Sequence, residues 1–257
     1  MAVRLAQELK TEIVSCDSRQ FYSELRIGVA RPSDEELAAV PHHFIACRSV
    51  VEPYNIFDYE QDAMNIVGRL FSAHDTVIAC GGSGLYVDAL LCTPARLPNP
   101  DPSLRAELQQ MPLEDKRAKL RLLDPEYYSR VDLCNPVRLQ RALEVCLTAG
   151  RPYSVILADQ KNEPRPFCTE VRVLQMSNAE LRERIDVRVD VMMKEGLLDE
   201  VRSVSHLRHL NTLNTVGYRE LFPVVDGNES VEHAVEQIKL NTWHYARKQM
   251  TWMRRYL

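Results

Sequence analysis

Hydrophobic and polar positions along this chain predict strands that are followed by helices. Apolar residues in 1–10 recur at helical spacing, and a short apolar run then ends at Asp17. A long amphipathic stretch over 57–73 leads into a second apolar run at 76–80, then the glycine-rich turn 81–84 and another helical stretch. Strand, glycine turn and helix in this order predict the βα unit of a parallel sheet.

A proline-rich bridge separates this part of the chain from a helical part. Two short helical stretches rich in Lys and Arg follow the bridge, and then comes a well-capped helix over 135–150. Asn135 is its predicted N-cap, a proline occupies its first turn and a glycine ends it. We expect a helical insertion domain over 97–153, within an α/β core made of 1–96 and 154–257.

The remaining sequence predicts one more strand and several helices. The segment 168–176 alternates apolar and polar residues, which favours a strand. Helical periodicity covers 178–204, 216–225 and a long final stretch from about residue 230. The pattern as a whole predicts an α/β protein with a parallel sheet core.

Composition and charge narrow the function classes only a little. Hydrophobic residues make up 45% and charged residues 26% of the chain, as in ordinary globular proteins. A net charge of −4 argues only weakly against nucleic-acid binding, because phosphate contacts depend on local clusters of cations. We expect no membrane span and no signal peptide, since no apolar run reaches about 18 residues.

The seven cysteines lie too far apart for the usual zinc-ligand spacing. Their pattern contains no CxxC motif, which is the commonest start of a zinc or redox site. We therefore expect buried free thiols in a reducing cytoplasm.

Candidate chemistry begins at the end of the first predicted strand. Asp17 stands there, and its carboxylate could be either an N-cap for the next turn or a general base. The turn 81–84 could cradle an anion, with Ser83 as its only side-chain donor, although a simple tight turn is the commoner use of such a sequence.

Arginines on two predicted helices are the other candidates. Arg184 and Arg188 lie four residues apart on one helix face, where they could bind a diphosphate or pair with acidic neighbours. The last helix mixes Arg247, Lys248 and Arg254 with Trp and Tyr. Such a mixture suits a phosphodiester strand with splayed bases, although an ordinary amphipathic helix also explains it.

Taken in order, these clusters resemble the tRNA dimethylallyltransferases. The similarity is carried by 17–20 (DSRQ), 28–32, 41–43, 81–86 (GGSGLY), 135–144, 184–190, 216–219 (VGYR) and 247–254 (RKQMTWMR). The order of these motifs over nearly the whole chain makes the resemblance specific.

The resemblance implies transfer of a dimethylallyl group from dimethylallyl diphosphate to the exocyclic amine of the adenosine next to the anticodon in tRNA. It also implies Mg²⁺, nucleotide binding and a P-loop-kinase-like core with a helical insertion. Asp17 would then be the general base, and Ser83, Arg184 and Arg188 would hold the diphosphate, with Ser83 and Arg184 also counted as catalytic. The target base must leave its stack to reach the carboxylate.

The resemblance further implies a set of tRNA-binding residues for the anticodon stem-loop, in a protein that we expect to be a cytoplasmic monomer. They are Asp17, Ser18, Arg19, Gln20, Val137, Arg138, Leu139, Gln140, Arg141, Asn214, Thr215, Val216, Gly217, Tyr218, Arg219, Arg247, Lys248, Gln249, Thr251, Trp252 and Arg254.

The sequence departs from the family pattern in a few places. No G-x-x-x-x-G-K-[ST] loop precedes the first helix, Ser83 replaces the usual threonine, and Asn178 stands where relatives often carry arginine. We expect either a shortened form of a complete enzyme or a protein that binds tRNA without catalysis. In both cases this chain should be a poor catalyst, with a sheet edge exposed beside its first strand.

Three alternatives remain at this stage. The acceptor could be a free adenine nucleotide, the protein could be a P-loop kinase for small molecules, or it could bind RNA without any chemistry. Arg138, Arg141 and the basic last helix favour a polynucleotide, because a mononucleotide needs no anchoring far from the core. Salt-dependent binding is the property that would support tRNA.

Overall fold

The computed structural model describes residues 1–94, 96–99, 101–159 and 165–257. The chain forms two compact units, which are Met1–Leu91 with Arg165–Leu257, and Cys92–Pro164 between them. The domain boundaries predicted from the sequence stay a prediction.

Three short parallel strands form the sheet of the first unit: β1 (Ile13–Ser15), β2 (His42–His43) and β3 (Ile78–Cys80). Their order in the sheet is β2-β1-β3, so β1 has a neighbour on each side. The expectation of an exposed edge beside β1 is therefore wrong, because β2, which the sequence pattern did not predict, covers that side.

Successive residues of β1 pack on opposite faces of the sheet, as the geometry of a strand requires. Ile13 belongs to a small cluster with Ala6 and Val40 on one face. Val14 belongs to the large core of the first unit on the other face. Both faces of β1 are covered, which explains why its successive residues Ile13 and Val14 are both apolar and buried.

The α-helices, which occupy most of both units, have the following bounds in chain order. They are α1 (Ala2–Leu9), α2 (Asp34–Ala39), α3 (Ile56–Phe71), α4 (Gly84–Leu91), α5 (Pro102–Gln110), α6 (Leu113–Leu123), α7 (Pro125–Arg130), α8 (Pro136–Ala149), α9 (Tyr153–Ala158), α10 (Asn178–Lys194), α11 (Leu197–Val204), α12 (Tyr218–Val225) and α13 (Val231–Met253). Short 3₁₀ turns follow at Ser205–Leu207, Asn211–Leu213 and Arg254–Tyr256.

The caps of α8, which were predicted from the sequence, are confirmed. The side chain of Asn135 accepts a hydrogen bond from the backbone N–H of Arg138 at 3.1 Å. At the other end Gly150 has φ +63°, a left-handed conformation that glycine adopts without strain. The helix therefore has the limits that its punctuation predicts.

Leucines from several helices form the core of the second unit. Leu108, Leu120, Leu139 and Leu143 are fully buried and pack together. Asp124, buried beside this core, accepts hydrogen bonds from the backbone N–H of Ser154 and from its hydroxyl. This carboxylate caps α7 and ties α9 to it.

The strand predicted over 168–176 is wrong, because this segment has no regular secondary structure. Val171 and Val173 are partly buried and the residues after each of them are exposed, which is the alternation that suggested a strand. A strand also needs a neighbour to complete its hydrogen-bond ladder, and none of the three described strands pairs with this segment.

Two other sequence expectations are also corrected. The helix predicted to continue over 178–204 breaks at Gly196, whose φ of +100° is incompatible with a continuous helix. Cys16 and Cys146 are buried, whereas Cys47, Cys80, Cys134 and Cys168 are exposed and Cys92 is intermediate, so the expectation of buried cysteines holds for two of the seven. Among the helices that the structure describes, none combines the length and apolar character needed to cross a bilayer.

Candidate active site

Asp17 lies just beyond the carboxyl end of β1 and uses one oxygen to hold the turn that follows. Its Oδ1 accepts hydrogen bonds from the backbone N–H groups of Arg19, at 2.8 Å, and Gln20, at 3.3 Å. No donor among the described residues is hydrogen-bonded to Oδ2. The carboxylate therefore caps the turn and still keeps an oxygen for chemistry, so both interpretations of Asp17 are compatible with its geometry.

The surroundings of Asp17 favour its protonated form. Burial raises the pKa of this carboxyl, and the two backbone hydrogen bonds together with the charges of Arg19 and Arg188 offset only part of the rise. A carboxylate with a raised pKa is a stronger base than an ordinary one, which suits proton abstraction near neutral pH.

A buried tyrosine fixes the end of β1 from the core side. The hydroxyl of Tyr59 donates to the carbonyl oxygen of Ser15 at 3.0 Å and lies 3.3 Å from the sulfur of Cys16. Burial raises the pKa of the Cys16 thiol to about 12, so this cysteine stays neutral. The backbone that carries Asp17 is therefore held in place by a hydrogen bond from a fully buried side chain.

The glycine turn after β3 owes its glycines to close packing. A Cβ at Gly81 would lie 2.4 Å from the backbone oxygen of Cys16, and one at Gly84 would lie 2.3 Å from the ring of Trp252. The turn therefore fits tightly between the end of β1 and the end of α13, as the tight-turn interpretation predicts.

Ser83 joins this turn to the segment that carries Asp17. Its Oγ accepts a hydrogen bond from the backbone N–H of Ser18 at 3.0 Å and donates to the Ser18 hydroxyl at 3.2 Å. The hydroxyl of Tyr245 is also hydrogen-bonded to Ser83. Because the hydroxyl of Ser83 is buried and engaged in this way, its contact with a diphosphate stays a prediction.

A cleft of about 310 Å³ opens beside Asp17 within the first unit. Its polar end contains Asp17, Arg19 and Arg188, and its remaining wall is mainly apolar. Most of the apolar lining comes from α10 and α13, through Leu181, Ile185, Val189, Met192, Ile238 and Ala246. The arrangement offers a charged end next to a surface that suits a flat base or a hydrocarbon chain.

The two predicted diphosphate arginines have different surroundings. Arg188 lines the cleft, close enough to Asp17 for its charge to lower the pKa of that carboxyl. Arg184 is absent from the described lining, is 67% exposed and forms an ion pair with Glu180 at 3.1 Å. Of these two arginines, the geometry favours Arg188 as a cleft cation.

About a third of the predicted tRNA-binding residues line the same cleft. They are Asp17, Arg19, Gln20, Thr215, Val216, Gly217 and Gln249. Ser18 adjoins them through its bonds to Ser83. The side chain of Gln20 is engaged inside the protein, because its amide donates to the carbonyl oxygens of Val29 and Ala30.

The helix start at 214–219 is less open to an anion than its sequence suggests. The backbone N–H of Gly217 donates to the carboxylate of Glu220 at 2.8 Å, and Arg219 pairs with the same carboxylate at 2.6 Å. Tyr218 is fully buried and donates to Glu200, so its side chain is engaged inside the protein, and its contact with tRNA stays a prediction. Asn214 is exposed and remains available.

The end of α13 presents cations, while its two tryptophans, Trp243 and Trp252, are only partly exposed. Arg247 lies over the ring of Trp243 at 4.8 Å and is exposed, as are Lys248 and Arg254. The hydroxyl of Thr251 donates to the carbonyl oxygen of Arg247. The indole N–H of Trp252 donates to Asp88 at 3.3 Å, so these two polar groups serve the protein itself.

The remaining predicted tRNA residues lie on α8, in the second unit. Val137 and Arg138 are exposed, whereas Leu139 is fully buried in the leucine core, and its contact with RNA stays a prediction. Gln140 and Arg141 both reach the buried carboxylate of Glu144, at 3.1 and 3.4 Å.

Sequence reasoning missed two residues that shape the site. Tyr245 lines the cleft one turn before Gln249 on the same face of α13, a spacing that the sequence contains. Glu200 binds the backbone of the distant segment 26–28, and no local pattern in the sequence indicates this contact.

A metal ion at this cleft would need waters or substrate phosphates as ligands in addition to the described residues. Among the described residues no group of three His, Cys, Asp or Glu side chains is placed to bind one. Asp17 is the single carboxylate among the described lining residues of the cleft. Mg²⁺ commonly binds through one or two carboxylates plus waters and substrate phosphates, so these residues by themselves do not form its site.

Comparison with known proteins gives a consistent result. A family model described as IPP transferase matches residues 20–256. A tRNA dimethylallyltransferase of Bacteroides thetaiotaomicron is 47% identical over 259 residues, covering 99% of this chain and 84% of that protein.

Solved structures are similar over nearly the whole chain. A tRNA delta(2)-isopentenylpyrophosphate transferase from Staphylococcus epidermidis is 27% identical, with a TM-score of 0.69 over 100% of this chain and 85% of that one. A eukaryotic dimethylallyltransferase acting on tRNA is 23% identical and shares the fold, with a TM-score of 0.83 over 98% of this chain and 65% of that one. These likenesses confirm the predicted P-loop-kinase-like α/β fold, and the chain belongs to the tRNA dimethylallyltransferase family.

Proposed function

We propose that this protein transfers a dimethylallyl group from dimethylallyl diphosphate to the exocyclic amine of the adenosine next to the anticodon in tRNA. The observation that carries the proposal is the carboxylate of Asp17, which has a raised pKa, a free oxygen and a cleft of suitable size in front of it. The names of the relatives support the donor and the acceptor.

Asp17 supplies the proton acceptor that this reaction needs. The exocyclic amine of adenine is a weak nucleophile, because its lone pair is delocalised into the ring. As the amine nitrogen bonds to the allylic carbon, the bond from that carbon to the diphosphate oxygen breaks and its electron pair leaves with the diphosphate. The proton of the amine passes to Asp17, whose raised pKa favours this transfer.

Arg188 and Arg19 supply positive charge at the polar end of the cleft. Fixed cations near the leaving oxygens stabilise the charge that develops as the bond breaks, and they do so more strongly where water is excluded. The apolar wall from α10 and α13 would exclude water and receive the base or the allyl chain. We extend the proposal to Mg²⁺, which would neutralise diphosphate charge when bound, and to a monomer acting in the cytoplasm.

The exposed cations of this chain support a polynucleotide acceptor. Arg138, Arg247, Lys248 and Arg254 are all exposed, as contacts with RNA phosphates require. A free adenine nucleotide would use the cleft alone and would gain nothing from these side chains. Removal of these cations should therefore lower the rate of transfer to tRNA and leave the rate of transfer to a free adenine nucleotide unchanged.

The test is transfer of label from dimethylallyl diphosphate to unmodified tRNA, with Mg²⁺ and with protein in excess so that slow transfer is recorded. Asp17→Asn is the matched variant, because asparagine can still accept the hydrogen bonds of the turn. We expect label in tRNA with the wild type and a loss of at least about 10²-fold in the variant. Label in adenosine monophosphate and none in tRNA would contradict the proposed acceptor, and equal rates would remove Asp17 from its role.

A further inference from the structure

One carboxylate outside the cleft binds a run of backbone N–H groups. Glu200, on α11, accepts hydrogen bonds from Arg26 at 3.0 Å and Ile27 at 2.8 Å through Oε2, and from Gly28 at 3.0 Å through Oε1. Hydrogen bonds to an ionised acceptor are stronger than neutral ones. Three such hydrogen bonds hold the backbone of residues 26–28 in one conformation.

A buried tyrosine completes the contact. The hydroxyl of Tyr218, at the start of α12, donates to Oε1 of Glu200. Its ring lies so close to the backbone that a Cβ at Gly28 would be 2.5 Å from it. Glu200 therefore joins α11, α12 and the segment 26–28 at one point.

The same segment continues into a wall of the cleft. Gly28, Val29 and Ala30 all line the cleft beside Asp17. The side-chain amide of Gln20 donates to the carbonyl oxygens of Val29 at 3.3 Å and Ala30 at 3.0 Å. The wall is thus held at one end by Glu200 and at the other by Gln20, and Ala30 is kept at a left-handed φ of +48°.

We propose that Glu200 is a positioning residue that preforms the cleft wall 28–30 for the acceptor nucleotide of the RNA. The proposal rests on the proposed function, since it names the ligand of the same cleft. Glu200 does not line the cleft itself, so its effect passes through the backbone that it binds. A wall that is ordered before binding spares the RNA the cost of ordering it, and this raises affinity and leaves the chemical step unchanged.

The test replaces Glu200 by glutamine, which has one acceptor oxygen and presents an N–H₂ group toward backbone N–H donors. We measure amide hydrogen exchange over 26–30 and the dissociation constant for an unmodified anticodon stem-loop RNA. Loss of a charged hydrogen bond of about 1.5–3 kcal/mol corresponds to about a tenfold or larger rise in both the exchange rate and the dissociation constant. In transfer assays, KM for tRNA should rise while kcat stays within about threefold.

Two further variants separate positioning from general destabilisation. Tyr218→Phe keeps the ring against Gly28 and removes one bond to Glu200, so we expect a smaller change in the same direction. Glu24→Gln is the matched control, because Glu24 also accepts hydrogen bonds from a distant backbone segment, at Val50, which does not line the cleft. It should leave the exchange over 26–30 and the RNA affinity at the wild-type values.

Each result has a defined meaning. Unchanged exchange over 26–30 in Glu200→Gln, or faster exchange with unchanged RNA affinity, would overturn the proposal. An equal loss of affinity in the Glu24→Gln control would also overturn it, because the effect would then be general. A wild type that binds the RNA and transfers no label would refute the proposed function. The role of Glu200 could still be tested, since neither amide hydrogen exchange nor the dissociation constant for the RNA requires transfer.

Discussion

The side-chain amide of Gln249 donates a hydrogen bond to the carbonyl oxygen of Gly82 at 2.9 Å, across 167 residues of sequence. Two residues further along the turn, Gly84 lies against the ring of Trp252. The last helix is thus joined to the glycine turn at two points. Because Gln249 also lines the cleft, a change in the packing of this turn should also change the shape of the cleft.

Substitutions at two helix glycines should have opposite effects on stability. Gly84→Ala places a Cβ into the Trp252 ring, and overpacking of this kind costs about 1–3 kcal/mol. Gly68→Ala, inside α3, meets nothing within 4 Å and should stabilise by about 0.5–1 kcal/mol, because alanine favours a helix interior. Urea unfolding of both variants measures the two free energies. Equal effects of the two substitutions would contradict the packing argument.

Asp17→Asn should make the protein more stable at neutral pH. Burial raises the pKa of Asp17 in the folded protein, so the folded state binds a proton more tightly than the unfolded state does. Stability of the wild type therefore falls as pH rises from the ordinary value of 3.8 through the raised folded value, and the variant lacks this fall.

The measurement for this variant is the free energy of unfolding at several pH values. We expect the variant to be the more stable protein above the titration window and similar to the wild type below it. A difference that stays constant with pH would mean that the charge of Asp17 is not its cause.

The pH dependence of transfer should show the same group. If Asp17 is the base, kcat/KM rises with pH as its carboxyl loses the proton, and the midpoint lies above 3.8 because burial raises the pKa. Initial rates of label transfer measured from pH 4 to 8, a range of about four units, should show this rise in kcat/KM, which is the acidic limb of the pH profile. Residual activity of Asp17→Asn should lack this limb, and an unaltered profile would assign it to another group.

Alanine substitutions at Arg188 and Arg184 should differ strongly. Removing the cleft cation Arg188 should lower kcat/KM by about 10²-fold, the size of effect seen when a charge-stabilising donor is lost. Arg184→Ala breaks an exposed ion pair with Glu180 on the same helix, which is worth about 0.3–0.5 kcal/mol, and should leave kcat/KM within about threefold. A large loss in Arg184→Ala would restore it to the diphosphate site.

Glu144 should be a main source of stability in the second unit. Burial by itself would raise its pKa, but hydrogen bonds from Arg105, Gln140 and Arg141 bring the pKa below its ordinary value of 4.5. Glu144→Gln should cost about 1.5–3 kcal/mol at neutral pH. Because the pKa is lowered, this contribution is present above 4.5 and is lost as pH falls through the folded value.

The control for Glu144 is an exposed carboxylate of the same unit. Glu114 is 79% exposed and forms an ion pair with Arg117, which Glu114→Gln removes. Exposed ion pairs contribute about 0–1 kcal/mol to stability. Thermal unfolding of both variants at neutral and acidic pH distinguishes the two sites. Equal losses would show that burial of Glu144 adds nothing.

Local signals in the sequence predicted the elements whose causes are local. The caps at Asn135 and Gly150, the apolar run before Asp17 and the glycine turn 81–84 were all recognisable from neighbouring residues. The segment 168–176 has the alternation of a strand and still forms none, because pairing depends on another part of the chain. The break at Gly196 also escaped the periodicity, which continues in phase on both sides.

The candidate site shows the same division. Motif order placed Asp17, Arg188 and Gln249 in one site, and these residues do line one cleft. A motif does not tell which of its members face inward: Leu139 and Tyr218 are buried, while Arg138 and Arg219, which are their neighbours in the same motifs, are exposed. Exposure depends on the packing of whole helices against each other, which a short motif does not encode.

The sequence by itself determined the family, the parallel βα order and the carboxylate at the end of β1, because these depend on motif order and on local hydrophobic periodicity. Only the tertiary structure decided that Arg188 and not Arg184 lines the described cleft, and that Glu200 binds the backbone segment 26–28, which leads into the cleft wall 28–30. The physical reason is distance along the chain. Glu200 lies 173 positions from Ile27 in the sequence, and a contact of this kind exists only after the helices have packed.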